Sequence, residues 1–130
     1  MNNNFLEHIN LTVSDPDRVA ALLSAIFGWK RRWAGEAIDG GRTVHVGIPE
    51  AGNSYLALYT NSGLREDQAR GHNTIANLNH IGVVVSDLEK IEQKVLGKSL
   101  EPFNHAQYAP GRRFYFYIDD GIEIEVISYT

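Results

Sequence analysis

Apolar and polar residues alternate from Phe5 to Val13, where Ile9, Leu11 and Val13 occupy every second position. This alternation predicts a β-strand with one apolar face. The next four residues, Ser14-Asp15-Pro16-Asp17, combine a capping residue, a proline suited to the first helical turn and an acid three positions after the serine. They predict the start of a helix, which we expect to cover the apolar face of the strand.

Two stretches carry the apolar spacing of a helix that buries one face. The first has Val19, Leu22, Leu23 and Ile26, followed by Gly28, where a left-handed C-terminal cap favours glycine. The second starts with the capping box Ser86-Asp87-Leu88-Glu89, continues with Leu88, Ile91 and Val95, and is closed by Gly97. The second helix is predicted to be slightly shorter than the first.

Three runs of β-type sequence follow each helix. They lie at about Trp29–Ile38, Arg42–Ile48 and Ser54–Thr60, and then at Lys98–Asn104, Arg112–Ile118 and Ile122–Tyr129. The polar, helix-breaking residues 61–76 join the two halves as a linker. We therefore predict an α+β fold of two βαβββ modules, at about 5–60 and 77–130.

The two modules carry related sequences. Leu6 to Asp15 (LEHINLTVSD) recurs 72 residues later as Leu78 to Asp87 (LNHIGVVVSD), with His8 and His80 at the same place in each copy. This repeat indicates duplication of one unit. A chain of 130 residues makes one ordinary domain, or two modules that are each too small to bury a good core alone. We therefore expect the two modules to pack together or to swap. Two histidines related by a pseudo-twofold axis predict a shared site.

The composition narrows the classes of function. With 43% hydrophobic residues, no apolar run of transmembrane length and no recognisable secretory signal, we expect a soluble cytoplasmic protein. The net charge of −4 disfavours nucleic-acid binding, and the basic cluster at residues 30–32 is short. The chain has no cysteine, so any metal ligand must come chiefly from its five histidines and its carboxylates.

A carboxylate joins the two histidines when the module ends are aligned. The alignment sets Ala57 against Glu125, and alternation then places Glu123 and Glu125 on the open face that His8 and His80 also line. Two histidines and one carboxylate form the set that holds Fe(II), and sometimes Mn(II) or Zn(II), with open positions for substrate and oxygen. A single histidine on such a strand is more often a hydrogen-bonded residue, but the equivalent positions in both repeats favour a metal site.

These residues make the chain resemble the vicinal oxygen chelate superfamily, which includes glyoxalase I, bleomycin-resistance proteins, fosfomycin-resistance transferases, methylmalonyl-CoA epimerases and extradiol dioxygenases. The resemblance covers essentially the whole chain: His8 and His80 match the histidine in the first strand of each module, and Glu125 matches the glutamate in the last strand. It implies a glyoxalase/bleomycin-resistance/dioxygenase-like fold whose sheets curve around a cleft, and a homodimer acting on a small molecule. It also implies a divalent metal held by His8, His80 and Glu125, with Fe2+ favoured and Mn2+, Ni2+ or Zn2+ as alternatives.

The reaction is predicted from departures within that superfamily. Ala57 stands where glyoxalase I and the epimerases carry a fourth ligand, and a basic extension like that of the fosfomycin transferases does not follow Glu125. Extradiol dioxygenases resemble this chain in a tyrosine like Tyr115, ten residues before the glutamate. The resemblance thus favours a dioxygenase-like oxidoreductase acting on vicinal oxygens. The alternatives are a glyoxalase-like lyase or isomerase, with Glu123 or another base replacing the missing ligand, and a metal-free binding protein like the bleomycin-resistance members.

Further candidates come from the same alignment. Setting Arg42 against Arg112 places His45 opposite Tyr115 on the open face, so His45 is the candidate general base, although a structural or solvated histidine has the same pattern. His72 and His105, in predicted loops, are weaker candidates.

The strand after the first helix presents a further candidate surface. Trp29, Arg31 and Trp33 alternate and are predicted to share one face of this strand. They are expected to form either an aromatic wall for a ligand or a dimer contact.

Overall fold

The fold is described from a computed structural model, in which residues 4–37, 40–49, 54–66 and 72–130 are described. The chain divides into two compact units, Met1–Leu64 and Arg65–Thr130. The first unit contains β1 (His8–Thr12), α1 (Pro16–Phe27), β2 (Lys30–Glu36), β3 (Arg42–Gly47) and β4 (Tyr55–Thr60). The second contains β5 (Ile81–Val84), α2 (Leu88–Gly97), β6 (Phe103–Tyr108), β7 (Gly111–Ile118), a 3₁₀ turn (Asp119–Gly121) and β8 (Ile122–Ser128). The predicted βαβββ order and the α+β class are confirmed.

Each unit builds one mixed sheet of four strands with the same topology. The strand orders are β1-β4-β3-β2 and β5-β8-β7-β6, and in each sheet the first strand runs parallel to the last strand of its unit. The registers confirm the alignment of the repeats. Ala57 pairs with Asn10 and His45 in the first sheet, whereas Glu125 pairs with Gly82 and Tyr115 in the second.

The helices cover one face of each sheet. Val19, Leu23 and Ile26 of α1 are fully buried, and α1 packs mainly against β3 and β4. The expectation that α1 covers the apolar face of β1 is therefore only partly right, because β1 is an edge strand and Ile9 remains 38% exposed. In the second unit α2 packs on β7 and β8, whose buried hydrophobic side chains on this face are Phe114, Phe116, Ile118, Ile124 and Val126.

Both helices start one residue later than a serine cap predicts. Asp15 and Asp87, rather than the preceding serines, are the N-caps, and each carboxylate accepts a hydrogen bond at 3.1 Å from the backbone N–H three residues on. Gly28 caps α1 in the left-handed region at φ 75°, as predicted. Gly97 is instead the last residue of α2, and the positive φ of 60° falls on Ser99.

Strand β6 lies further along the chain than predicted. The sequence predicts a strand at Lys98–Asn104, but β6 runs from Phe103 to Tyr108. Pro102 has no backbone N–H to donate to a neighbouring strand, so pairing with β7 begins only after it. The predicted strand Trp29–Ile38 is shorter, at Lys30–Glu36, while Ile38 itself lies outside the described residues.

The predicted shared face of Trp29, Arg31 and Trp33 is wrong. The pairing of β2 with β3 shifts between Arg31 and Trp33, so a bulge breaks the alternation. Arg31 donates to Asp17 of α1 at 2.8 Å, whereas Trp33 contacts the ring of His45 and Trp29 stacks on Phe27.

The predicted linker shows neither helix nor strand in its described parts, residues 61–66 and 72–76, while residues 67–71 lie outside the description. Among the described residues, neither helix has the length and apolarity needed to cross a membrane.

An ion pair ties the helix to the sheet in each unit. Asp17 of α1 accepts two hydrogen bonds from Arg42 of β3, at 2.7 and 2.9 Å, in addition to the one from Arg31. Glu89 of α2 accepts from Arg112 of β7 in the equivalent place. The hydrogen bonds from Arg42 lower the pKa of Asp17 from 3.8 to about 2, despite the opposing effect of burial.

We predict that Asp17→Asn destabilises the protein by at most about 1 kcal/mol at pH 7, because the side chains of Arg42 and Asp17 are 42% and 41% exposed and solvent screens the pair. The pKa of Asp17 is lowered on folding, so this stability is present above pH 4 and is lost as the pH falls towards 2. Urea unfolding of both proteins from pH 7 to pH 2.5 measures the difference. Glu36→Gln, at an exposed strand end, is the control, and a difference that persists undiminished at pH 2.5 would contradict the prediction.

Candidate functional site

The open face of the second sheet carries a polar pocket with a volume of about 420 Å³. Its lining includes His72, Asn79, His80, Arg113, Tyr115 and Glu123. These side chains come from the end of the predicted linker, from the residues before β5 and from β7 and β8. Titratable and hydrogen-bonding groups thus converge in one concave place, which is the usual setting of a ligand site.

Glu125, on the central strand β8, lies at the centre of a group of hydrogen-bonded side chains on this face. Its side chain is only 13% exposed, and its two carboxylate oxygens have three polar neighbours. Tyr115 donates to Oε2 at 3.1 Å, Arg113 donates to the same oxygen at 3.0 Å, and His80 Nε2 lies 3.2 Å from Oε1. Tyr115 is the cross-strand partner of Glu125, so the ten-residue spacing noted in the sequence is a direct contact in the sheet.

His80 is oriented by the residue before it. Its Nδ1 lies 2.7 Å from Oδ1 of Asn79, an oxygen that only accepts, so Nδ1 carries a proton. This leaves Nε2 facing Glu125. The 3.2 Å between this nitrogen and Oε1 brings two potential cation ligands side by side.

The acid that lines the pocket itself is Glu123, two residues before Glu125. Glu123 is 8% exposed, and His72 Nε2 donates to its Oε1 at 2.9 Å. His72, a weak candidate from the sequence, is therefore brought into the site. His105 is not: it lies in β6, stacks on Phe114 and contacts Glu92 of α2 at 3.1 Å, on the helix-covered face.

The Tyr115 hydroxyl keeps its proton. Burial raises the pKa of Tyr115 above its usual value of 10.0, and the negative charge of Glu125 and the hydrogen bond to it act in the same direction. Tyr115 is therefore a neutral hydrogen-bond donor at physiological pH.

His8 lies in the first unit and repeats the arrangement of His80. Its Nδ1 lies 2.9 Å from Oε1 of Glu7, and its ring stacks on Tyr55 with the centroids 5.0 Å apart. Glu7 precedes His8 as Asn79 precedes His80, so in both repeats an oxygen of the preceding side chain orients the histidine. The hydrogen bond from His8 is the main cause that lowers the pKa of Glu7 below its usual value.

His45, the candidate base, lies on the same face of the first sheet. Its ring is 4.6 Å from that of Tyr55 and 5.2 Å from that of Trp33, measured between centroids. Burial lowers the pKa of His45 below 6.5, and the charges of His8 and Arg32 lower it further. His45 is therefore neutral at pH 7 and can accept a proton.

The structure thus brings together three of the five candidates, His80, Glu125 and Tyr115, within the second unit. His8 and His45 share a face within the first unit. In neither unit do three histidine or acidic side chains of the described residues converge as a metal site.

Arg113 is the main site residue that the sequence analysis missed. It precedes Phe114 and therefore shares the face of Tyr115, so alternation along β7 was a sufficient signal. Asn104 and Tyr108 of β6 also line the pocket. They were hidden because β6 was placed too early in the chain.

The sequence matches a family model, "Glyoxalase/Bleomycin resistance protein/Dioxygenase superfamily", over residues 5–126. The chain belongs to this superfamily. The resemblance to the vicinal oxygen chelate superfamily is thereby confirmed for almost the whole chain. A search of curated proteins found no match.

Solved structures of members of this superfamily share the fold. A glyoxylase/bleomycin resistance protein/dioxygenase domain from Frankia sp. EAN1pec is 21% identical, with a TM-score of 0.79 over 99% of this chain and 100% of that one. Glyoxalase I of Leishmania major is 20% identical, with a TM-score of 0.74 over 98% of this chain and 88% of that one. The fosfomycin resistance protein FosX of Listeria monocytogenes is 17% identical, with a TM-score of 0.70 over 100% and 95%. At these identities the likeness shows the fold and leaves the reaction open.

We predict that Trp33→Ala raises the pKa of His45 towards 6.5, because burial is the main cause of its lowering and the indole covers the imidazole. NMR titration of the imidazole signals measures this pKa. Trp29→Ala is the matched control, since Trp29 stacks on Phe27 instead. An unchanged pKa in Trp33→Ala would show that the indole does not shield His45 from water.

Proposed function

We propose that this protein is a small divalent-metal enzyme that acts on a substrate with two neighbouring oxygen atoms, by ring-opening oxygenation of a catechol-like compound. His80 and Glu125 are the proposed ligands from the second unit, and His8 is the proposed third ligand. The alternatives of a lyase or isomerase and of a metal-free binder are separated from this proposal by the experiments below.

The observation that carries the proposal is the repeated fixing of Nδ1. In His8 and His80 this nitrogen contacts a side-chain oxygen of the preceding residue, at 2.9 and 2.7 Å. Histidines that bind metals almost always donate their other ring N–H in this way, which fixes the tautomer and turns the remaining lone pair outwards. A histidine with only a structural role has no need of this arrangement in both copies of a repeat.

The residues of the second unit fit a cation. Bonds of about 2.0–2.2 Å to nitrogen and oxygen place two adjacent ligands about 3 Å apart. Nε2 of His80 and Oε1 of Glu125 lie 3.2 Å apart, which matches this spacing. The bound ion would supply Lewis acidity and open coordination positions for two substrate oxygens. Likeness to FosX, whose structure was solved with Mn(II), supports a divalent ion in general.

Tyr115 and His45 would divide the proton chemistry between them. Tyr115, protonated and 3.1 Å from Glu125, can turn its single O–H from that carboxylate to a substrate oxygen beside the ligands. His45, kept neutral mainly by burial, can accept a proton from a substrate hydroxyl.

Ring opening is favoured over a glyoxalase-type reaction by the pairing of the strands. Ala57 occupies the register position in the first sheet that Glu125 occupies in the second, so the first unit offers no carboxylate there. Tyr115, in contrast, contacts the proposed ligand directly.

We predict that the protein purified without chelator contains about one divalent ion per chain, and that His8→Ala, His80→Ala and Glu125→Ala each lose most of it. Elemental mass spectrometry measures the content. His105→Ala is the matched control, because this histidine faces α2 and contacts Glu92.

The identity of the ion and two assays separate the candidate functions. Iron, together with oxygen uptake on catechol, supports the oxygenase. Nickel or zinc with turnover of a hemithioacetal supports the lyase or isomerase instead. A protein that takes up no metal on reconstitution and binds ligands equally well after chelation is a binder, and the proposal is then wrong.

We predict that Tyr115→Phe lowers kcat by about 100-fold while the metal content stays unchanged, because the phenol donates to the substrate and its loss leaves the ligands in place. Steady-state kinetics on the active substrate measure kcat. Tyr117→Phe is the control: Tyr117 follows on the same strand, is half-exposed and stacks on Phe103. Equal losses in the two variants would remove Tyr115 from the reaction.

A further inference from the structure

Part of the Arg113 guanidinium has no hydrogen-bond partner among the described residues of its unit. Its side chain is 12% exposed, and its guanidinium lies over the ring of Tyr108, 4.6 Å from the centroid. Nη1 donates to Glu125 at 3.0 Å. Nε, in contrast, is buried and has no hydrogen-bond partner among the described residues.

A buried N–H without an acceptor is unfavourable and rare in folded proteins, so Nε needs an acceptor that the described residues do not supply. The edge of a guanidinium formed by Nε and Nη2 fits the two oxygens of a carboxylate or a phosphate in parallel hydrogen bonds. Because Nη1 is held by Glu125, this edge is the one that remains for a ligand in the pocket.

Strand β6 bends where it borders the same pocket. Its pairing with β7 shifts between Phe103 and Ala106, and Asn104 within this bulge has a left-handed φ of 53°. Bulges of this kind re-aim a side chain and are frequent beside binding sites. The bulge places Asn104 in the pocket lining with Arg113 and Tyr108. The side-chain amide of Asn104 is therefore a second hydrogen-bond donor in the pocket that Arg113 lines.

We infer that Arg113 binds an oxyanion of the substrate, so that the substrate carries a carboxylate or a phosphate group in addition to its neighbouring oxygens. That the oxyanion belongs to a substrate with neighbouring oxygens rests on the proposed function. The oxyanion site at Arg113 does not. The Tyr108 ring beneath the guanidinium and the hydrogen bond to Glu125 hold Arg113 in place for this contact. Arg113 would thereby select the substrate by its charge.

The test is an NMR titration of the full chain, labelled with ¹⁵N and supplied with Zn2+, with three ring compounds that lack neighbouring hydroxyls. Benzoate and phenyl phosphate carry an oxyanion, and benzamide is the neutral counterpart. The Nε–H signal of Arg113 reports directly on the edge in question. We expect benzoate or phenyl phosphate to move this signal and to bind at least about 10-fold more tightly than benzamide.

Three variants complete the design. Arg113→Met should weaken oxyanion binding by about 10-fold or more, and Arg113→Lys should give an intermediate loss, because a lysine keeps the charge but not the paired hydrogen bonds. Arg112→Met is the matched control: it is the same change one residue earlier on β7, where the side chain contacts Glu89 of α2. Thermal unfolding of each variant checks that it is folded.

The outcomes separate the two proposals. Tighter binding of either oxyanion that depends on Arg113 supports the site even if the protein holds no zinc, and in that case only the metal proposal falls. Whichever of benzoate and phenyl phosphate binds more tightly shows whether the site prefers a carboxylate or a phosphate. Benzamide binding as well as benzoate, an Arg113→Met protein that retains the preference, or equal losses in the two methionine variants would each overturn the inference.

Discussion

A nearly buried carboxylate on a central strand sets the chemistry of the second unit. Glu125 is 13% exposed on β8, and a charge in such surroundings is stable only when opposite charge and hydrogen-bond donors surround it. Arg113 and Tyr115 supply donors from β7, and His80 supplies a ring nitrogen from the start of β5. The carboxylate therefore joins the strands on both of its sides at one point.

The two units have equivalent ion pairs between helix and sheet but carry different side chains on the open face of the sheet. On the helix side, Asp17 with Arg42 and Glu89 with Arg112 tie each helix to the equivalent strand. On the open face, the first sheet carries a run of contacting rings, Trp33, His45, Tyr55 and His8. The second sheet carries the charged cluster around Glu125. One scaffold thus presents an aromatic surface in one copy and an ionic surface in the other.

Much of this could be predicted from the sequence because it depends on periodicity. The period of two in the strands, the helical spacing and the 72-residue repeat predicted the element order. They also aligned Ala57 with Glu125 and His45 with Tyr115, and these residues occupy equivalent register positions in the two sheets. Bulges have no such signature. The shift after Arg31 separated Trp33 from Arg31, and the late start of β6 after Pro102 hid Asn104 and Tyr108. The contact of His72 with Glu123 joins residues 51 positions apart, and no local pattern reports such a pair.

The residues that orient the two histidines differ in charge between the repeats. Oδ1 of Asn79 is a neutral amide oxygen, whereas Glu7 bears a carboxylate whose pKa is lowered mainly by its hydrogen bond to His8. A carboxylate bonded to Nδ1 makes the other ring nitrogen a stronger electron donor than an amide does. The imidazole of His8 is therefore the stronger donor of the pair. His80, with the weaker imidazole donor, instead faces the carboxylate of Glu125 at 3.2 Å.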